Sequence, residues 1–159
     1  MNATEYESIL ALAATLEGRQ EWREALKEYE RAIDINCKRP EAYIKASRML
    51  LDNDGIWEAD TQVVDANLAV QYLQDALEWI PDNLQVLELL FRAQMHVGRL
   101  DGAVQTVSRL IDLSPDKEYW RERGRNTFAT LQEMPNRMNL LKWSVGTEGI
   151  NQLRRKFGT

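Results

Sequence analysis

Apolar and small residues recur along this chain with a long fixed period. Ala69, Leu73, Ala76 and Pro81 stand at offsets 0, 4, 7 and 12, and Ala103, Val107, Leu110 and Pro115 repeat those offsets 34 residues later. Ala25, Tyr29, Ala32 and Cys37 show the same spacing upstream, with Cys37 in the place of the proline. Offsets of 4 and 7 fall on one face of an α-helix. A proline then ends the helix, because it lacks an N–H and clashes with the preceding turn. Each such helix follows another amphipathic stripe: Ile9, Leu12, Ala13 and Leu16, then Tyr43, Ala46, Ser47 and Leu50, then Leu87, Leu90 and Phe91.

The pattern predicts helices over about 4–17, 21–36, 41–52, 65–79, 84–97, 101–113, 117–133, 135–145 and 148–156. No strand signal competes. Thr4 with Glu7 has the spacing of a capping box, and Asp65 and Asp101 are placed to cap their helices. Trp22 and Leu100 fill the space where second helices begin, Trp79 falls on a buried side, and Trp120 and Trp143 belong to a degenerate fourth unit. In that unit Phe128, Met134, Leu141 and Ser144 keep the period, whereas Arg121 and Arg137 occupy places that should be apolar or small. Ile150, Leu153 and Phe157 form a last apolar stripe opposite Arg154 and Arg155, as a terminal cap with a polar outer face requires.

This arrangement resembles the tetratricopeptide repeat (TPR), a 34-residue helix–turn–helix unit. The resemblance runs over residues 6–115 and is most specific in 84–115, where Gly98, Ala103 and Pro115 match the motif. It implies an all-α, right-handed superhelical solenoid of stacked hairpins with about nine helices. The array is expected over residues 1–149, with a capping helix and tail over 150–159. Two departures stand out. Phe91 replaces a usually small residue, and the step from Ala25 to Ala69 carries ten extra residues, placing an insertion near 53–64. That insertion reads either as a loop presenting Trp57 or as an elongated next helix.

Composition narrows the function classes. The chain has 159 residues, of which 44% are apolar, with 8 Gly and 4 Pro, enough for one core or one short array. One cysteine and one histidine exclude a disulfide framework and most Cys or His metal sites. The longest apolar run, residues 9–16, is far too short to span a membrane, and the N-terminus has no secretory pattern. The expected location is cytoplasmic.

Charge is uneven. Residues 1–116 hold 11 Lys and Arg against 21 Asp and Glu, while residues 117–159 hold 9 against 4. Between Arg48 and Arg92 there is no basic residue. An acidic middle disfavours nucleic acid, since phosphate binding needs clustered cations. Only Arg121, Arg123, Arg125 and the run Arg154–Lys156 argue otherwise.

Catalytic chemistry finds no support. There is no phosphate loop, dinucleotide glycine pattern or nucleophile elbow. An EF-hand aligned on Gly55 would put Leu50 first and Thr61 twelfth, and neither residue can ligate calcium there. Cys37 reads as a stand-in for the junction proline, and His96 as a residue of a helix's last turn. No enzyme activity, metal or cofactor is therefore expected.

Solenoids bind partners along the surface lined by the first helix of each hairpin. Helical phase puts Leu10, Ala14 and Glu17 there in the first unit. Ile44, Arg48 and Leu51 follow in the second, Glu88, Arg92, Met95 and His96 in the third, and Glu122, Asn126 and Ala129 in the fourth. Relatives that clamp acidic chaperone tails carry a Lys/Asn pair on their first helix, where this chain has Leu10 and Ala14. The clamp is therefore not expected, and the mixed groove, with Arg48 and Arg92 among Glu88 and Glu122, suits an amphipathic, extended or basic peptide. The expectation is a non-catalytic adaptor for a protein or peptide partner. The alternatives are a self-associating structural subunit, a secretion-type chaperone, or a regulatory domain of a larger enzyme.

Overall fold

The small residues of the repeating stripe mark where helices come closest. Ala25, Ala32, Ala69, Ala76 and Ala103 are completely buried, beside larger neighbours such as Tyr29, Leu73, Val107 and Leu110. In the computed structural model, which describes residues 3–53 and 62–159, every regular element is a helix. In order these are α1 (Ala3–Gly18), α2 (Trp22–Ile35), α3 (Pro40–Asp52), α4 (Gln62–Trp79), α5 (Leu84–His96), α6 (Leu100–Leu113), α7 (Lys117–Gln132) and α8 (Pro135–Phe157). The eight helices of the described residues fall close to the nine expected. The difference lies in α8, which is continuous except at Gly146 (φ 70°, ψ 175°), between the two expected segments. That backbone conformation is open almost only to glycine. The proposed loop with Trp57 lies outside the described residues.

The contacts divide the chain into two compact units, Met1–Leu89 and Leu90–Thr159. In the first unit α1 packs on α2, α2 on α3, and α3 on α4. Tyrosine hydroxyls tie these layers together. Tyr29 donates to Glu17 at 2.6 Å, Tyr72 donates to Glu30, and Tyr6 accepts the N–H of Ala42 at 3.2 Å. Arg39 lies 4.3 Å over the Tyr6 ring and pairs with Glu7 at 2.6 Å and Glu41 at 2.9 Å.

In the second unit α6 packs on α7, and α8 packs on both. The second half of α5 joins them through Gln94, which accepts a hydrogen bond from Thr106 of α6 at 2.8 Å. Phe91 adds an edge-to-face contact with Trp120 of α7 at 5.7 Å. Phe91 can stand in for a small residue because Trp120 receives its ring. Ile150, Leu153 and Phe157 are buried, while Arg154 and Arg155 face solvent.

Several local expectations are corrected. Thr4 lies inside α1 rather than capping it, and Glu7 is engaged with Arg39, so no capping box forms. Helix α6 starts at Leu100 without a side-chain cap, and Asp101 in its first turn faces Arg137 at 3.7 Å. Asp65 is a turn inside α4 and buried, because the helix begins three residues earlier than its hydrophobic stripe. Trp79 is 50% exposed at the last residue of α4, where the ring escapes the contact. Trp143 is 89% exposed, lying about half a turn around α8 from buried Met138 and Leu141.

Candidate partner-binding surface

On α3 of the first unit, Arg48 points to solvent and Leu51 is half-buried. Ile44 is only 7% exposed. Because α3 contacts both α2 and α4, its buried arc is wider than one stripe and takes Ile44 in. Glu88, in the first half of α5, is exposed. Of the residues expected on α1, Leu10 is buried and Ala14 exposed, and Glu17 is held by the Tyr29 hydroxyl.

In the second unit all the expected residues are exposed. Arg92, Met95 and His96 are exposed on α5, as are Glu122, Asn126 and Ala129 on α7. The Phe91–Trp120 contact joins these two helices at one point. Met95 is 40% exposed, an uncommon placement for a flexible apolar chain that adapts readily to a partner.

Tyr119 escaped the sequence reading, and Arg123 entered it only as part of a basic stretch. Tyr119 is 44% exposed and edge-on to Trp120 at 4.9 Å, and the Arg123 guanidinium lies 4.5 Å over its ring. The signal was the adjacent pair Tyr119–Trp120. Neighbours on a helix point about 100° apart, so when Trp120 goes into the core its partner must face out. Tyrosine in that position presents an apolar face and a polar tip, the combination favoured at interfaces.

Among the described residues no three His, Cys, Asp or Glu side chains converge as a metal site would require. Cys37 is a half-buried free thiol in the turn between α2 and α3. Also among the described residues, no helix is long and apolar enough to cross a membrane.

No curated protein matches the chain. Residues 65–123 match the sequence profile of the tetratricopeptide repeat family. Those residues run from α4 through the first half of α7, where the 34-residue period is clearest. Over residues 65–123, then, the helical hairpins are similar to tetratricopeptide repeats.

Proposed function

We propose that the chain is a non-catalytic adaptor that seats a partner peptide on the first helices of its hairpins. Tetratricopeptide repeats are generally protein–protein interaction modules, and the observation that carries the reading here is the α5–α7 surface. Met95 and Tyr119 are exposed on the same two helices as exposed Arg92, His96, Glu122 and Asn126. Apolar anchors ringed by charge suit an amphipathic or extended segment, with burial providing affinity and the charges fixing direction. In the first unit Arg48, Leu51 and Glu88 are the candidate contacts, and Ile44 supports α3 from within the core.

The test is capture of partners by the intact chain, compared with an Arg48→Glu/Arg92→Glu variant and a Met95→Ser/Tyr119→Ser variant. Each captured partner is then titrated calorimetrically against the three proteins. Affinity should fall for both variants while helix content stays the same. Unchanged affinity in both would remove the assignment.

One observation favours a second reading, the self-associating subunit. Leu140 and Trp143 sit one turn apart on α8 and are both exposed. Light scattering at rising concentration decides between the two, since a monomer throughout leaves only the adaptor.

A further inference from the structure

A second surface of the last unit has chemistry that the peptide surface does not use. Lys117, Arg121 and Arg125 recur every four residues along α7, about a third of a turn around the helix from Glu122 and Asn126. The C-terminal end of α8 brings Arg155 and Lys156 opposite them, enclosing a cleft of about 360 Å³ in which Asp112 is the one acidic residue.

The cleft has a rigid frame. Phe157 is completely buried, and its carbonyl accepts a hydrogen bond from Arg125 Nη1 at 3.1 Å. Lys156 Nζ donates to the Ser108 carbonyl at 3.2 Å, to its hydroxyl at 2.9 Å and to Asp112 Oδ2 at 2.7 Å. Those contacts fix the end of α8 against α6 and α7. Among the described residues Lys117 and Arg121 make no bond to α8, so neither is needed to hold it in place.

The guanidiniums already hold a carboxylate. Glu118, on the solvent side of the same helix, reaches Arg125 at 3.1 Å and Arg121 at 3.4 Å, and these bonds keep its carboxyl below the usual range. An exposed pair of this kind is weak and exchanges readily. Glu118 thus occupies the place that an incoming carboxylate would take.

Spacing selects the form of the ligand. Residues four apart on a helix rise by about 6 Å, and alternate side chains of an extended strand are separated by about 6.5 Å. Three cations at that interval match three carboxylates on one face of an extended chain, whereas a lone phosphate would engage only part of the row. Nucleic acid is disfavoured because the remainder of the chain, residues 1–116, carries ten more acids than bases. The only aromatic ring lining the cleft, that of Phe157, is buried and offers no face for a base.

We propose that this cleft is a second docking site, for an extended acidic segment of a protein partner whose alternate carboxylates pair with Lys117, Arg121 and Arg125. The site is independent of the α5–α7 reading and stands if that reading falls.

The test uses the full chain and a dye-labelled synthetic peptide, Gly-Glu-Ser-Glu-Ser-Glu-Gly, followed by anisotropy at low salt. Its comparison is an isomer with the three glutamates contiguous. The alternating peptide should bind more tightly than the isomer and weaken on the order of tenfold in Lys117→Glu/Arg121→Glu. Glu118→Gln, which removes the competing charge from Arg121 and from Arg125 Nη2, should tighten it several-fold. Circular dichroism checks that each variant folds, and Lys117→Gln/Arg121→Gln gives the same reading without charge reversal. Equal affinity for the two peptides, or indifference to the Lys117 and Arg121 changes, would overturn the proposal. So would stronger competition by inorganic phosphate or an oligonucleotide, or a dimer by light scattering that the double variant dissolves, since each assigns the cleft to another occupant.

Discussion

Phe157 fills the space left by the missing side chain of Gly124. A methyl group at Gly124 would stand 2.5 Å from ring atom Cδ1 and 2.6 Å from Cε1, closer than packed carbons approach. The ring is also tilted against Phe128, with 6.1 Å between centroids. This contact fastens the end of α8 to α7 and so holds Arg155 and Lys156 over the basic row.

Gly124→Ala therefore opposes two effects. Alanine favours the helix by about 1 kcal/mol, while overpacking a filled core costs about 1–3 kcal/mol. A buried ring flanked by a second ring has little room to move, so net destabilisation of about 1 kcal/mol is expected in urea unfolding. Phe157→Leu placed in the same background should recover part of that loss, because the pair is in direct contact. A more stable Gly124→Ala protein would contradict the contact.

The elements were readable from sequence because the 34-residue period is set by hairpin geometry. Small residues at the closest approaches and prolines at the helix ends repeat with it. Local detail failed where two signals compete at one residue. Asp65 has the composition of a cap, yet α4 starts earlier and carries it inside. Trp143 continued the repeat by count, but Met138 and Leu141 set the buried face of α8 on its other side. Exposure on α5 and α7 was legible, since helical phase turns Arg92, Met95, His96, Glu122 and Asn126 to solvent. The basic cleft was not. Lys117 and Arg155 are 38 residues apart, and only the fold of α8 against α7 makes them neighbours.

The turns between α1 and α2 and between α5 and α6 are built alike. Each closes with a bond from an N–H to the carbonyl five residues earlier, Glu21 to Leu16 and Arg99 to Gln94, both at 2.9 Å. The residue before each N–H is left-handed, Gln20 at φ 62° and Gly98 at φ 69°. A side chain in that region costs about 1 kcal/mol or more, partly offset by the greater unfolded-state freedom of glycine. Gln20→Gly should stabilise the chain by about 0.5 kcal/mol. Gly98→Ala should destabilise it by about 1 kcal/mol from conformation alone, since nothing lies within 4 Å of the added carbon. Paired denaturant curves check both signs.

Exposure separates the tryptophans. Trp120 is 6% exposed and Trp143 is 89% exposed. Trp120→Ala removes a ring packed against Phe91 and should cost about 3–5 kcal/mol. Trp143→Ser removes a ring in water and should change stability by less than about 0.5 kcal/mol. Guanidinium unfolding monitored by circular dichroism compares them without depending on the fluorophore removed. A large loss for Trp143→Ser would mean that the ring is covered in solution.

Asp65 carries the clearest pH dependence. It is 1% exposed, neither carboxyl oxygen has a hydrogen-bond partner among the described residues, and burial pushes its pKa up to about 6. The unfolded chain would titrate it near 3.9. Between those values the folded state binds more protons, so this group makes stability fall as pH rises from about 4 to about 6 and stay reduced above that. The full cost of the ionised group is about 1–3 kcal/mol at neutral pH. Asp65→Asn keeps the shape without the charge. Its advantage over the wild type should be largest at pH 7, shrink through pH 6 and nearly vanish by pH 4, where the wild-type carboxyl is neutral in the fold. Urea midpoints of the two proteins across that range measure the difference directly, and titrations elsewhere in the chain cancel. An advantage independent of pH would show that Asp65 stays ionised in the folded protein, with a countercharge or water reaching it.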